Sequence, residues 1–582
     1  MTTRRMTIIA QDPSIKNSDG EILRTRVNIP YEELGPGPRG YRVHVVDYDS
    51  SQRVLYHPFD PGDDADPFEN ASDSRLLEDP AFHAQNVYAI IMRLLSRFEG
   101  ALGRRIPWGF GVQQIHVAPH AFADANAYYS EDAQGLFFGY FPGVNGEIVL
   151  TCLSHDVVVH EATHALLDGL RETYTVPSHP DQAGFHEGFA DVIALLSVFG
   201  LSDVVRALLL KRESEANYIP KDDLRARVLR TNVLLGLAEQ FGNEASRHRA
   251  DCLRRAVSRR PRKDALRDLV FEECHIRGEI LSAAVLNSFI EVWTRRLESW
   301  LPTGDEVVPI DRVVEDAYDA ASHLLTMCIR ALDYCPVVDI TFGDFLSALL
   351  TVDLELLVDD GKYKYRQILR NQFELWGINP ASGAEDQVRA GEVPELGIWE
   401  RPSSDTPLNY ECVHRESLEK DMNEVFRFLW ENRKQLGIFD NAYTWIISLR
   451  PCVRVAPDGF VLKETVCEYR QTLDLLASQL RSVSDGMKKP EGMPDDTHVR
   501  LNGGGVLIFD DFGHLKYHIR SRIDNAKRQN SRLEYLWRNG IRDRNGRYGF
   551  SDGSPKGRRF ALMHMRRDGR TELPAEWEDD QQ

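Results

Sequence analysis

The chain has 582 residues, 42% of them hydrophobic and 27% charged, with a formal net charge of −19. That length exceeds a single hydrophobic core and asks for two or three domains, and the apolar share excludes a disordered chain. The acidic excess counts against bulk binding to nucleic acid or to an anionic membrane surface.

Residues 1 to 57 alternate short β-rich segments, MTIIA, ILRTRVNIP and YRVHVVDYD, around a PGPRG turn, which predicts an N-terminal antiparallel layer. The opening segment lacks the apolar run of a secretory signal, and no stretch is long and uncharged enough to span a bilayer. The expected location is therefore cytoplasmic, with no membrane partner. Eight cysteines without CxxC pairing fit reduced, mostly buried thiols. The acidic, turn-rich run FDPGDDADPFENASDSRLLEDP reads as a solvated linker, and residues 81 to 102 have helical periodicity. Strands follow at IHVAPH and from NAYYS to YF, the second at an exposed edge where a peptide can add as another strand.

Next comes HEATH, His160 to His164, in SHDVVVHEATHALLDGL. Ser154 predicts the helix N-cap, Asp156 complements the positive helix end, and Gly169 offers a stop. Residues four apart share a helix face, so His160 and His164 can turn imidazole nitrogens toward one point. Glu161 can then reach a water held by an ion there without ligating the ion, which suits a general base. With 18 histidines in the chain, chance would supply only about 0.04 such motifs, so metal binding outweighs coincidence. A catalytic zinc site takes a third protein ligand. HEGFAD offers Glu187, and Asp191, one helical turn later, would hold the second nitrogen of His160.

HExxH followed at about twenty residues by ExxxD resembles the thermolysin family of gluzincin zinc peptidases. The likeness covers residues 1 to 380 and includes NAYYSEDAQGLFFGYF, HIRGEILSAAVLNSF and CIRALDYCPVVDITFGDFLSALLTVDLELL. It implies one catalytic zinc ion on His160, His164 and Glu187, with Glu161 as base and Asp191 behind His160. It further implies transition-state donors at His275 and Tyr174, and substrate contacts from Asn126, Ala127 and Arg254. His275 opens a helix, whose positive end would favour a neutral imidazole. This sequence departs from the pattern at His186, where the family usually has asparagine. Asp268, Glu272 and Glu273 are all candidates for the acid that orients His275. The acids of the family's calcium site are missing, so calcium is not expected.

Residues 378 to 407 are rich in Gly, Pro, Ser and acids and mark a boundary. Beyond it lie an amphipathic helix in ESLEKDMNEVFRFLWENRKQLGI, strands around WIISLRPCVRV and VRLNGGGVLIFDDFGHLKYHI, and a basic run from Lys516 to Arg570. The expected fold is α+β. A β-rich lobe with the HEATH helix (1–175) and a mainly helical lobe (176–380) would form a two-lobed cleft, followed by a linker (381–405) and an α+β C-terminal domain (406–582). The expected activity is zinc-dependent endopeptidase action on a peptide or protein, regulated by or targeted through the C-terminal domain. The alternatives are an inactive peptidase-fold scaffold, or a sensor in which residues 406–582 bind nucleic acid or a protein and the peptidase is the effector.

Overall fold

The computed structural model describes residues 2–17, 19–62, 66–143, 146–176, 178–209, 217–229, 260–301, 307–356, 361–381, 397–402, 407–455, 459–543 and 545–549. The fold is α+β. Strands β1 (Thr3–Ile9) and β2 (Arg24–Pro30) form an antiparallel pair on the first long helix. A separate five-stranded sheet contains β3 (Val43–Val45), β4 (Ile115–Phe122), β5 (Ala127–Ser130), β6 (Gly135–Pro142) and β7 (Ile148–Leu150). Its order is β3-β4-β6-β5, with β7 also on β6. Strands within residues 1–57 pair antiparallel with one another as expected, but β3 joins β4, and β4 joins β6, in parallel. The cause is the helix between β3 and β4, because a crossover connection returns the chain in the same direction.

That helix, α1 (Pro80–Leu102), starts on Asp79, whose side chain accepts from the Ala81 amide, with proline at its first position. It ends at Gly103 in the left-handed region. The HEATH helix, α2 (His155–Leu170), runs one residue past Gly169, so that glycine is not the stop. A Cβ at Gly169 would lie 1.9 Å from the Pro107 carbonyl oxygen, and glycine is there to let that backbone approach. Helices α3 (Pro180–Phe199) and α4 (Cys274–Glu298) meet through glycines. A Cβ on Gly188 would stand 2.6 Å from the Gly278 oxygen, and one on Gly278 would stand 2.8 Å from the Gly188 nitrogen. Helices α5 (Ile310–Ala331), α6 (Phe342–Leu356) and α7 (Tyr365–Leu375) pack around this pair, with Phe345 edge-on to Phe185 at 5.0 Å.

The C-terminal sheet is an antiparallel meander of β8 (Tyr443–Val455), β9 (Val461–Leu476), β10 (His498–Asp510) and β11 (Leu515–Ser521). Alternate residues of its strands serve two cores. Cys467, Leu507 and Phe509 pack with α8 (Met422–Glu431), whereas Val466, Val506 and Ile508 join one continuous core with residues from Met6 to Ile378. Helix α9 (Ala526–Arg538) covers one end of the sheet with Leu501 and Met487. The sheet is also fixed electrostatically. Buried Asp333 takes two hydrogen bonds from Arg104, at 2.6 and 2.7 Å, and a third from Arg454 of β8, which also reaches Glu464 of β9. Within the expected linker, residues 397–402 are docked rather than solvated. The Trp399 indole donates to the Tyr334 carbonyl at 2.8 Å and its amide to Thr351 at 2.9 Å. Among the described residues, no single helix is long and apolar enough to cross a membrane.

Candidate metal centre

Helix α2 places His160 and His164 one turn apart, and their Nε2 atoms lie 2.9 Å from each other. Helix α3 brings Glu187 to the same point, its Oε2 3.5 Å from His160 Nε2 and 3.8 Å from His164 Nε2. All three donor atoms fall within a sphere that one ion could fill. The cluster is deeply set, with His164 and Glu161 fully buried and Glu187 at 1% exposure.

The far side of each imidazole is also held. Asp191 Oδ1 lies 2.9 Å from His160 Nδ1. A carboxylate only accepts, so the Nδ1 carries the proton and Nε2 is left to ligate. His164 Nδ1 faces His186 Nδ1 at 2.8 Å. His186 was the residue that broke the family pattern, and here it steadies the second histidine. Burial drives the His186 pKa down to about 4, so the ring is neutral and serves as a hydrogen-bond partner rather than a charge. Burial also works against charging His160, yet the hydrogen bonds of Asp191 and Glu187 and the charges of Asp191 and Glu161 outweigh it and push that pKa up to about 10. So strong a demand for positive charge at a buried spot suits a bound cation, which would take the place of the proton.

His275 sits in the first turn of α4, with Nε2 3.5 Å from Glu187 Oε2. Its Nδ1 lies 2.6 Å from Glu273 Oε1, so among the three candidate acids Glu273 is the partner. Glu273 caps α4 as well, accepting from the Ile276 amide at 2.8 Å. Burial would raise its pKa, but the hydrogen bond and charge of His275 lower it to about 2. The Gly188–Gly278 contact is what lets the helix bearing His275 close on the helix bearing Glu187.

Other expected site residues fall elsewhere. Tyr174 is 1% exposed, and its hydroxyl donates to the Pro336 carbonyl at 2.5 Å, so it is not aimed at the metal cluster. A buried phenol needs an acceptor, and the chain below the C-terminal sheet supplies one. Asn126 and Ala127 lie at strand β5, the last in its sheet order, but both are buried, Ala127 fully, instead of standing at an exposed edge as expected. There the Ala127 amide already donates to the Asn126 Oδ1 at 2.9 Å. Arg254 lies outside the described residues.

No protein-family model matches this chain, and no curated protein does either. The functional reading therefore rests on the geometry of these side chains.

Proposed function

We propose that the chain is a zinc-dependent endopeptidase with thermolysin-like lobes, active within the cytoplasm. The observation that carries this reading is the convergence of two imidazole nitrogens and a carboxylate oxygen on one point, with the far side of each imidazole anchored by Asp191 or His186. Glu161, on the same helix beside His160, would then serve in proton transfer. A bound zinc ion would polarise the scissile carbonyl and acidify water.

The chain's own residues would do the rest. His160, His164 and Glu187 hold the ion. Glu161 takes a proton from the attacking water and returns it to the leaving amine. His275, its Nδ1 proton fixed on Glu273, presents Nε2 toward the charge that develops on the carbonyl oxygen when that nitrogen is protonated. Strand β5 offers an edge on which an extended peptide can lie.

Contacts of α9 support regulation through the C-terminal unit. Ser531 lies 3.1 Å from His179, which caps the helix bearing Glu187, and Arg538 pairs with Glu272, next to the acid that orients His275. The unit thus touches the start of the helices that bear Glu187 and His275.

The test is Glu161→Gln in the full chain. Peptide hydrolysis should vanish while the zinc content measured by mass spectrometry stays unchanged. Undiminished, chelator-sensitive hydrolysis by that variant would overturn the base assignment, and a wild type inert toward broad peptide libraries would favour the scaffold reading.

A further inference from the structure

A second cluster of metal-ligating side chains lies away from the HEATH centre and shares no residue with it. His83 comes from α1, His120 from β4, and Cys152 from the turn just before α2. All three are buried, and their donor atoms lie within 4.8 Å of one another. Three elements distant in sequence supply them, so the grouping is a product of the tertiary fold.

The hydrogen bonds around the two rings decide what can sit between them. His120 Nδ1 lies 2.6 Å from Asp47 Oδ2, and the Asp47 carboxylate also accepts the His120 amide at 2.9 Å. His83 Nε2 lies 3.1 Å from the Leu77 carbonyl. Both outer partners accept only, so each outer nitrogen carries the proton. The inner nitrogens, His83 Nδ1 and His120 Nε2, then point lone pairs at each other across 2.9 Å. Two lone pairs in a buried site repel unless a cation joins them. A tetrahedral zinc site with ordinary bond lengths separates two nitrogens by about 3.3 Å. The pair needs to open by only a few tenths of an ångström to accept an ion, and the Cys152 sulfur stands ready as third ligand.

The approach is built for a cation as well. His83 and His120 form part of the wall of a pocket of about 900 Å³, whose lining includes Asp12, Asp73, Glu78 and Glu147 against Lys16. Acidic walls draw cations inward.

We propose that His83, His120 and Cys152 form a second metal site for a divalent cation of the zinc class, with the fourth position facing this pocket. The donor set of two imidazoles and a thiolate selects zinc or cobalt over calcium or magnesium. Asp47 and the Leu77 carbonyl act as the outer partners that orient the two rings. The ion would pin α1 to the central sheet.

The test uses the full-length protein loaded with zinc, then with cobalt. X-ray absorption at the zinc edge should show a sulfur neighbour at about 2.3 Å, which the HEATH ligand set does not supply, and cobalt loading should give a thiolate charge-transfer band. Both should disappear in Cys152→Ser and persist in His160→Ala/His164→Ala. The second variant separates the two readings: loss of all metal there defeats this site, whereas a remaining single equivalent with sulfur ligation supports it whatever the HEATH centre does. Should Cys152→Ser fail to fold, His83→Gln in cobalt-loaded protein gives the same comparison, with the band lost or shifted. Absence of sulfur coordination and of the charge-transfer band in wild type would overturn the proposal and leave a shared proton between the two rings.

Discussion

Replacing Asp333 by asparagine tests how the C-terminal sheet is held. The side chain keeps its shape and loses its charge. Arg104 then loses the carboxylate that accepts both its terminal nitrogens, and Arg454 loses one of its two carboxylate partners and keeps Glu464. All four groups are nearly inaccessible, with side-chain exposures of 6% or less, so water does little to replace the missing charge. Breaking a buried pair of this kind costs about 3 to 5 kcal/mol, a large part of the 5 to 15 kcal/mol that ordinarily separates folded from unfolded protein. Urea unfolding followed by tryptophan fluorescence, with limited proteolysis to report release of the sheet, measures the loss at neutral pH. The neighbouring guanidinium groups hold the Asp333 carboxyl below the usual range although burial works the other way. Its contribution is therefore present above the unfolded-state pKa of about 4 and fades as pH falls toward the depressed folded value. The gap between variant and wild type should narrow in acid. A neutral-pH difference under about 1 kcal/mol would refute the assignment of the network as a clamp.

Glu273→Gln should lower kcat by about 10- to 100-fold with zinc content unchanged, because it loosens His275 rather than a ligand. Stopped assays across pH, compared with Glu272→Gln as a control, check this. Asp12 is a different titration case. Burial and then the nearby Asp156 charge raise its pKa from 3.8 to about 6. The Ser154 hydroxyl has one proton, yet it faces carboxylate oxygens of Asp12 and Asp156 at 2.9 and 2.6 Å, so a proton on one of the two acids relieves the conflict. A raised folded pKa stabilises below the unfolded value and is lost as pH rises through about 6. Asp12→Asn should consequently narrow the difference between thermal midpoints at pH 5 and pH 7.5. Arg538→Ala removes a partly exposed contact worth up to about 1 kcal/mol, so any gain in peptide hydrolysis from freeing α9 should stay within about fivefold. A larger rise would mean that more than this pair restrains the site.

The register of the centre was legible in the sequence because helical geometry fixes it. Residues 160 and 164, and again 187 and 191, must share faces once the helices form. Which acid orients His275 was not legible, since Asp268, Glu272 and Glu273 are all near in sequence and only the capping turn selects one of them. Tyr174 enters through the family resemblance alone, and a matching place along the chain does not reveal where a hydroxyl points after the fold packs on that segment. The direction of β4 depended on the crossover through α1. Docking of the C-terminal sheet left a trace in VRLNGGGVLIFD, whose continuous apolar half, VLIF, is what a strand covered on both faces requires.

The backbone contact between Gly188 and Gly278 has a mechanical consequence. With no side chain to act as a bearing, the two helices cannot slip past one another without collision. They form one strut, on which Glu187, next to Gly188, and His275, three residues before Gly278, stand 3.5 Å apart. Whatever motion admits a peptide must carry both groups together, and their spacing will survive it.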